Sequence, residues 1–317
     1  MYLTGFADEA SPDLSQQIRA TRELGWKYIE TRRIGEKNLA SLSDAEFEEV
    51  ERLLSDSGVS FNCYGSAVAN WSHPITEDPE SSYDEMSRAL PRMKKLGIRM
   101  IRIMSFAVPQ ELRENSWSLE EEVVKRLRVI VRMAEEADIL CLHENCMNWG
   151  GLSREHTLRL LERIPSPNFR LVFDTGNPVF NIDYSGEEPH VKMQSSWDFY
   201  RDVRDFIAYV HIKDGRCPEP GRQEFTFAGE GDGDVVRILS DLIARGYDGG
   251  FSIEPHVATV FHDSDNRNDS ALCLQRRYET YIRYGRAFES LLSSLLSASA
   301  ASSSASSSAG GGVRASV

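Results

Sequence analysis

The chain lacks most of what would tie it to a membrane, a polyanion or an oxidising compartment. No apolar run approaches the roughly 20 residues of a membrane span. Basic charge is short: 36 lysines and arginines stand against 49 acidic residues, a formal charge of −13 over 317 residues. Nucleic acids and anionic membranes are held by basic faces, so neither is expected as a partner. Cysteine is scarce. Cys63, Cys141, Cys146, Cys217 and Cys273 make an odd set without CxxC spacing, which fits reduced thiols better than a disulfide framework. The opening residues, MYLTGFADEA, show no basic-then-apolar leader, so a cytoplasmic location is expected. No short internal repeat is present. The length suffices for one large domain or two modest ones with a substantial core. It leaves the oligomeric state open, a homo-oligomer included.

What the chain does have is a series of short apolar runs that each end in a polar group. The run 206–212 ends in His211 and Lys213, and 251–253 ends in Glu254. Between them lie a Gly/Asp-rich loop and a segment with Val235, Ile238, Leu239, Leu242 and Ile243 at helical spacing. That is a strand–loop–helix–strand unit. Residues 137–144 end in Glu144 and residues 170–174 in Asp174. The four strand-end groups are 30, 37 and 43 residues apart, each separation long enough for one β–α repeat. Carboxyl ends of parallel strands are where α/β proteins keep their chemistry. Three carboxylates and one imidazole suit a hard divalent cation, Mn²⁺ or Mg²⁺, while a structural zinc would more often show cysteines.

Taken in order, the chain predicts strands at 3–8, 27–31, 59–65, 98–106, 137–144, 170–174, 206–212 and 251–253. Helices are predicted between them, the first with Ser11 as cap and Pro12 in its opening turn. Gly25, Gly58 and Gly97 each end a helix before the next strand. Eight strands alternating with eight helices call for a (β/α)₈ TIM barrel in a single domain, residues 1–292. The last helix is expected over 272–292. The Ala/Ser/Gly-rich run 293–317 has nothing to bury and reads as a disordered tail. GEGDGD at 229–234 lacks GK[ST], so it is expected to turn the chain, with Asp232 or Asp234 capping the helix at 235.

Side chains alternate along a strand, so parity assigns the lumen-facing positions. Glu144 shares a face with Leu140 and Leu142, Asp174 with Val172, His211 with Tyr209 and Lys213, and Glu254 with Ser252 and His256. His143 then faces outward as a buried structural histidine, and Cys141 is packing material. Lys213 is placed to reach a substrate oxygen or to pair with nearby acids. Trp71 and Trp149, in loops after the third and fifth strands, are candidate pocket walls.

Several motifs make the resemblance specific. YVHIKDG, GEGDGD, GYDGGFSIEPH, HEN at 143–145 and FDTGN at 173–177 resemble the xylose-isomerase-like barrel superfamily of sugar-phosphate isomerases and epimerases. So do YIETRRIGEKNLASLSD and IRIMSF, and the likeness runs over about residues 1–290. It implies one divalent cation, Mn²⁺ first and Mg²⁺, Co²⁺ or Zn²⁺ as alternatives, on Glu144, Asp174, His211 and Glu254. It also implies a carbohydrate substrate, with Glu144 and Glu254 taking and returning a proton beside a carbonyl while the metal stabilises the enediolate. His256 is a further substrate contact by position. Three departures stand out. Asn177 occupies the place of a histidine that many members use, GSAVANW replaces their loop after strand three, and Arg216 lies one residue short of a substrate arginine. The alternative is a lyase or dehydratase acting on a keto-sugar, 3-keto-glycoside or inosose through the same site. A DNA-repair member would need a histidine-rich zinc cluster, against which stand seven histidines, Asn177 and the −13 charge.

Overall fold

The structure is a computed structural model that describes residues 1–186, 192–219, 221–258 and 270–309. Its strands are β1 (Tyr2–Gly5), β2 (Tyr28–Thr31), β3 (Ser60–Gly65), β4 (Met100–Ile103), β5 (Leu140–Glu144), β6 (Phe169–Asp174), β7 (Ile207–Ile212), β8 (Asp214–Glu219), β9 (Arg222–Thr226) and β10 (Gly250–Ile253). Eight of these form one parallel sheet in the order β1-β10-β7-β6-β5-β4-β3-β2. At the remaining seam the Tyr2 and Tyr28 rings meet edge-on at 5.1 Å. With helices between the strands, the sheet is a nearly closed TIM barrel, as the alternation predicted.

The helices that alternate with these strands follow from local sequence. In α2 (Asp44–Ser57), Ser43 accepts the Glu46 amide while the Glu46 carboxylate accepts the Ser43 amide, a reciprocal cap. Gly58 ends that helix at φ +71°, a left-handed conformation that costs glycine little. Helix α8 (Val235–Ala244) buries Val235, Ile238, Leu239 and Leu242 on one face. Full burial of such side chains stabilises the fold by about 1.5–3 kcal/mol each. A second, smaller apolar cluster fills the lumen: Cys63, Leu142, Val172 and Tyr209, all fully buried. These share parity with Glu144, Asp174 and His211, so the alternation that packs the lumen also aims those groups into its mouth. Cys141, of opposite parity, packs in the outer core.

Four expectations need correction. The first helix, α1 (Leu14–Glu23), is capped by Asp13, whose carboxylate accepts the Gln16 amide at 2.9 Å. Ser11 instead accepts the Asp13 amide, and Pro12 lies before the helix. Residues 214–226, read as loop, form the antiparallel hairpin β8–β9. Asp234 does not cap α8 with its side chain, and its own φ is +52°. The glycine loop instead wraps a carboxylate. The amides of Gly229, Gly231 and Gly233 all donate to Asp214 at 2.8–3.0 Å. A Cβ on Gly231 would lie 2.3 Å from Asp214 Oδ1, so only glycine allows this approach. Lastly, α9 spans Ala271–Ala309 and so continues past Leu292 through part of the expected tail. Alanine propagates a helix well once a docked segment has nucleated it. Residues 310–317 lie outside the described residues.

Candidate metal centre

Strand ends on the second half of the barrel bring four buried donors together. Glu144 closes β5, Asp174 closes β6, His211 lies near the end of β7, and Glu254 follows β10. Neighbouring strands are in register there: Glu144 opposite Val172, Asp174 opposite His211, Ser252 opposite His211. One ligand atom from each of the four lies within 4.8 Å of the others, and all four residues are buried. Donors around one divalent ion at about 2.1 Å stand at most about 4.2 Å apart, so a shift of a few tenths of an ångström would bring the set to that spacing.

Two of the donors, His211 and Asp174, have one side fixed and another turned inward. His211 Nε2 lies 3.1–3.2 Å from both oxygens of Glu30, a fully buried carboxylate on β2. That contact leaves Nδ1 facing Glu144 Oε1 at 3.7 Å, beyond hydrogen-bond reach. Asp174 Oδ1 accepts the amides of Gly176 and Asn177 at 2.8 and 2.7 Å. Its Oδ2 has only an off-axis ion pair with Lys213 Nζ at 2.9 Å. Among the described residues neither His211 Nδ1 nor Asp174 Oδ2 has a hydrogen-bond partner. Two buried polar atoms aimed at one point, with two more carboxylates beside them, fit a divalent cation by donor type and arrangement. The Glu30–His211 pair is the carboxylate–imidazole arrangement that orients metal-binding histidines.

The charges respond to this crowding. Burial pushes Glu144 up, but Arg102, whose Nη1 donates to Glu144 Oε2 at 3.1 Å, and His211 together hold it down at about 2. Burial raises Asp174 to about 6 despite Lys213. Burial would lower His211, yet Glu30 and Glu144 raise it to about 10 in the metal-free protein. Burial opposes Glu254 as well; Lys213, His256 and Arg32 hold it well below the ordinary carboxylate range. His143, of outward parity, is buried, with Nε2 3.0 Å from Ser105 Oγ, and burial pushes it down to about 4.

A cavity of about 320 Å³ opens over the centre, lined in part by Glu144, Glu254, Asn177, Lys213, Arg102 and Trp71. Asn177 donates from Nδ2 to Glu144 Oε1 at 3.0 Å. Lys213 Nζ donates to Glu254 Oε2 at 2.9 Å, so it joins two of the donors. Trp71 is half-exposed at the rim. Trp149 is not a wall: it is fully buried, donates from Nε1 to Ser116 O at 2.7 Å, and packs edge-on against Trp117 and His156. Arg216 also lies away from the cavity, exposed on the hairpin and bonded to Glu230 O. His256 is buried beside Glu9 and Glu254 at 3.1 and 3.5 Å, outside the cavity lining.

Sequence reasoning missed Glu30, Arg32 and Arg102. Arg32 joins Asp8 and Glu254 at 3.0 and 2.8 Å. The signal was present in two of them: Glu30 and Arg102 are charges inside otherwise apolar strands.

The profile of the xylose isomerase-like TIM barrel family matches residues 18–277. The chain belongs to that family. Solved structures of the xylose isomerase-like fold agree at the level of architecture. A xylose isomerase-like TIM barrel protein from Mycobacterium smegmatis in complex with magnesium has 19% identity and a TM-score of 0.61, covering 89% of each chain. D-psicose 3-epimerase with D-tagatose from Clostridium cellulolyticum H10 has 16% identity and a TM-score of 0.61, covering 92% of this chain and 99% of that one. The probable 3-DHS dehydratase AsbF of Bacillus anthracis has 15% identity and a TM-score of 0.58, covering 88% and 97%. No curated protein matches the chain in sequence. Among the described residues, no helix of this xylose isomerase-like barrel is long and apolar enough to cross a membrane.

Proposed function

We propose that the protein is a divalent-cation-dependent sugar isomerase or epimerase that removes a proton from carbon beside a carbonyl. One observation carries this reading: four buried donors converge within 4.8 Å on the floor of a cavity that Glu144 and Glu254 both line. A cation bound there would supply a Lewis acid to polarise the substrate carbonyl. The rest is done by the chain. Glu144 is held ionised by Arg102 and oriented by Asn177, so it can accept a proton from one face of the substrate. Glu254, fixed by Arg32 and ionised as well, returns to its own side a proton drawn from the Lys213 ammonium that donates to it at 2.9 Å. Buried walls exclude water and strengthen these charge interactions. The magnesium complex of the M. smegmatis fold neighbour supports a hard cation; Mn²⁺ is our first assignment, and Mg²⁺, Co²⁺ and Zn²⁺ are alternatives. A cytoplasmic role in carbohydrate metabolism follows from the same reading.

Lys213 favours a second reading. Its ammonium lines the cavity beside Glu254, where it can protonate a departing hydroxyl, so a lyase acting on a keto-sugar or inosose uses the same groups. Incubating the metal-loaded protein with keto-sugars in D₂O separates the two by NMR. Deuterium beside the carbonyl with the skeleton intact supports the isomerase, and an enone product supports the lyase. Absence of both from every keto-sugar and keto sugar acid tried rules out proton abstraction as the activity.

A further inference from the structure

The cavity holds two arginines near the centre, and they are engaged differently. Arg32 is consumed: Nε and Nη2 donate to Asp8 at 3.0 and 3.2 Å and Nη1 to Glu254 at 2.8 Å. Arg102 is not. Its residue is only 6% exposed, yet among the described residues its side chain forms a single hydrogen bond, Nη1 to Glu144. Nε is buried with no hydrogen-bond partner among the described residues. Nη2 lies beside Gly65, where a Cβ would stand 3.4 Å from it, and both residues line the cavity. A buried guanidinium with open donors is costly unless something accepts from it. The Phe6 ring, 5.7 Å from the Arg102 guanidinium carbon, supports one face and offers no acceptor oxygen.

We infer that the substrate is an acid, a small polyhydroxy carboxylate whose carboxyl group docks on Arg102 beside the metal centre. A guanidinium fork matches a carboxylate in plane and charge. Arg102 touches Glu144, itself one of the four donors, so the docked carboxylate stands a few bonds from oxygens at the metal centre. That spacing fits a sugar acid and not a substrate with its charge on a long arm. Charge favours carboxylate over phosphate: one guanidinium with open donors, flanked by Glu144 and Glu254, tolerates a single negative charge better than two. The wall is suited to an anion in a chain of net charge −13, since four cationic side chains (Arg32, Arg33, Arg102, Lys213) line it against three carboxylates. For its reaction this inference rests on the carbonyl chemistry proposed above; its binding test does not.

The test is calorimetric binding to the full-length protein loaded with Mn²⁺, using three ligands that carry no ketone: D-gluconate, D-glucitol and D-glucitol 6-phosphate. D-gluconate differs from D-glucitol by a carboxylate in place of a terminal CH₂OH. The wild type should bind D-gluconate on the order of 10- to 100-fold more tightly than D-glucitol, the usual worth of a hydrogen bond to a charged group. In Arg102→Met that preference should nearly vanish. Equal binding in the wild type overturns the inference, as does tighter binding of the phosphate ester. A preference that survives Arg102→Met also overturns it, because the ion alone would then hold the acid. If Arg102→Met does not fold, Arg102→Lys keeps the charge without the fork and should lose part of the preference; full retention counts against the inference. A gluconate preference in a protein that exchanges no proton of a keto-sugar or a keto sugar acid would sink the proposed chemistry and leave the acid site standing.

Discussion

Replacing Glu30 by glutamine tests the centre without touching a proposed ligand. Glu30 lies against His211 Nε2 and is the largest influence raising that imidazole to about 10. At pH 7.5 the metal-free site therefore carries a proton that a cation must displace from His211. The sign follows: affinity for the ion rises with pH, about tenfold per unit, until pH passes roughly 10. Below about pH 6 the proton on Asp174 adds a second competitor and steepens the dependence. Competition at His211 alone lowers the affinity at pH 7.5 by roughly 10²–10³, or about 3–4 kcal/mol. The same linkage acts on folding. Protonated His211 stabilises the metal-free protein fully below its ordinary value of 6.5, and this contribution is lost as pH rises through about 10. In Glu30→Gln the imidazole falls back toward its ordinary range and most of the proton is gone at pH 7.5. The variant also loses the carboxylate that orients the ring, an effect worth 10- to 100-fold in affinity. Affinity therefore mixes two opposed effects, whereas proton release does not. Calorimetric titration with Mn²⁺ in two buffers of different ionisation enthalpy should give about one proton released per ion in the wild type. It should give well under half a proton in Glu30→Gln. Equal release from both proteins, or none from the wild type, refutes the assignment of His211 and its Glu30 partner.

Further expectations are as direct. Glu144→Gln and Glu254→Gln keep an oxygen donor but cannot accept a proton, so each should retain Mn²⁺ by metal analysis. Each should lose on the order of 10²–10⁴ in turnover, and near-wild-type turnover in both defeats the two-glutamate mechanism. Gly231→Ala would press a Cβ against Asp214 Oδ1 and the Gly215 amide. That should cost about 1–3 kcal/mol and lower the melting temperature by several degrees, whereas an unchanged melting curve would show that the loop relaxes freely. Removing the residues after Ser297 should leave the melting temperature unchanged. Cutting after Ser290 should lower it, because Leu291, Leu292, Leu295 and Leu296 pack against the barrel.

The barrel was legible because its periodicities are regular. Apolar runs of strand length alternate with helical spacing, and glycines such as Gly58 and Gly97 end helices at positive φ. Parity was enough to aim Glu144, Asp174 and His211 inward, since the same alternation fills the lumen with Leu142, Val172 and Tyr209. Loops were less readable. Trp149 and Trp71 look alike as loop tryptophans, and only the tertiary positions of Ser116 and His156 decide that one is buried. The Asp214 cradle was hidden for a similar reason. A Gly/Asp alternation reads as a turn until it is known which carboxylate the glycine amides surround.

The partners of the donors were hidden more deeply, and their origin explains why. Glu144, Asp174, His211 and Glu254 all come from strand ends on the second half of the barrel. The groups that fix three of them come largely from the first: Glu30 on β2 holds His211, Arg32 after β2 holds Glu254, and Arg102 on β4 holds Glu144. Only Asp174 is fixed locally, by the amides of Gly176 and Asn177. No local spacing joins residue 30 to residue 211 or residue 32 to residue 254; the closing of the barrel brings β2 across the lumen from β7 and β10. A charge inside a short apolar strand, as at Glu30 and Arg102, is therefore the sequence trace of such a partner. It would be expensive to bury unless an opposite charge met it inside. In a parallel barrel the place for that meeting is the lumen mouth. Applied to this chain, the rule selects Glu30 and Arg102 from the early strands, one a support for His211 and the other the partner of Glu144.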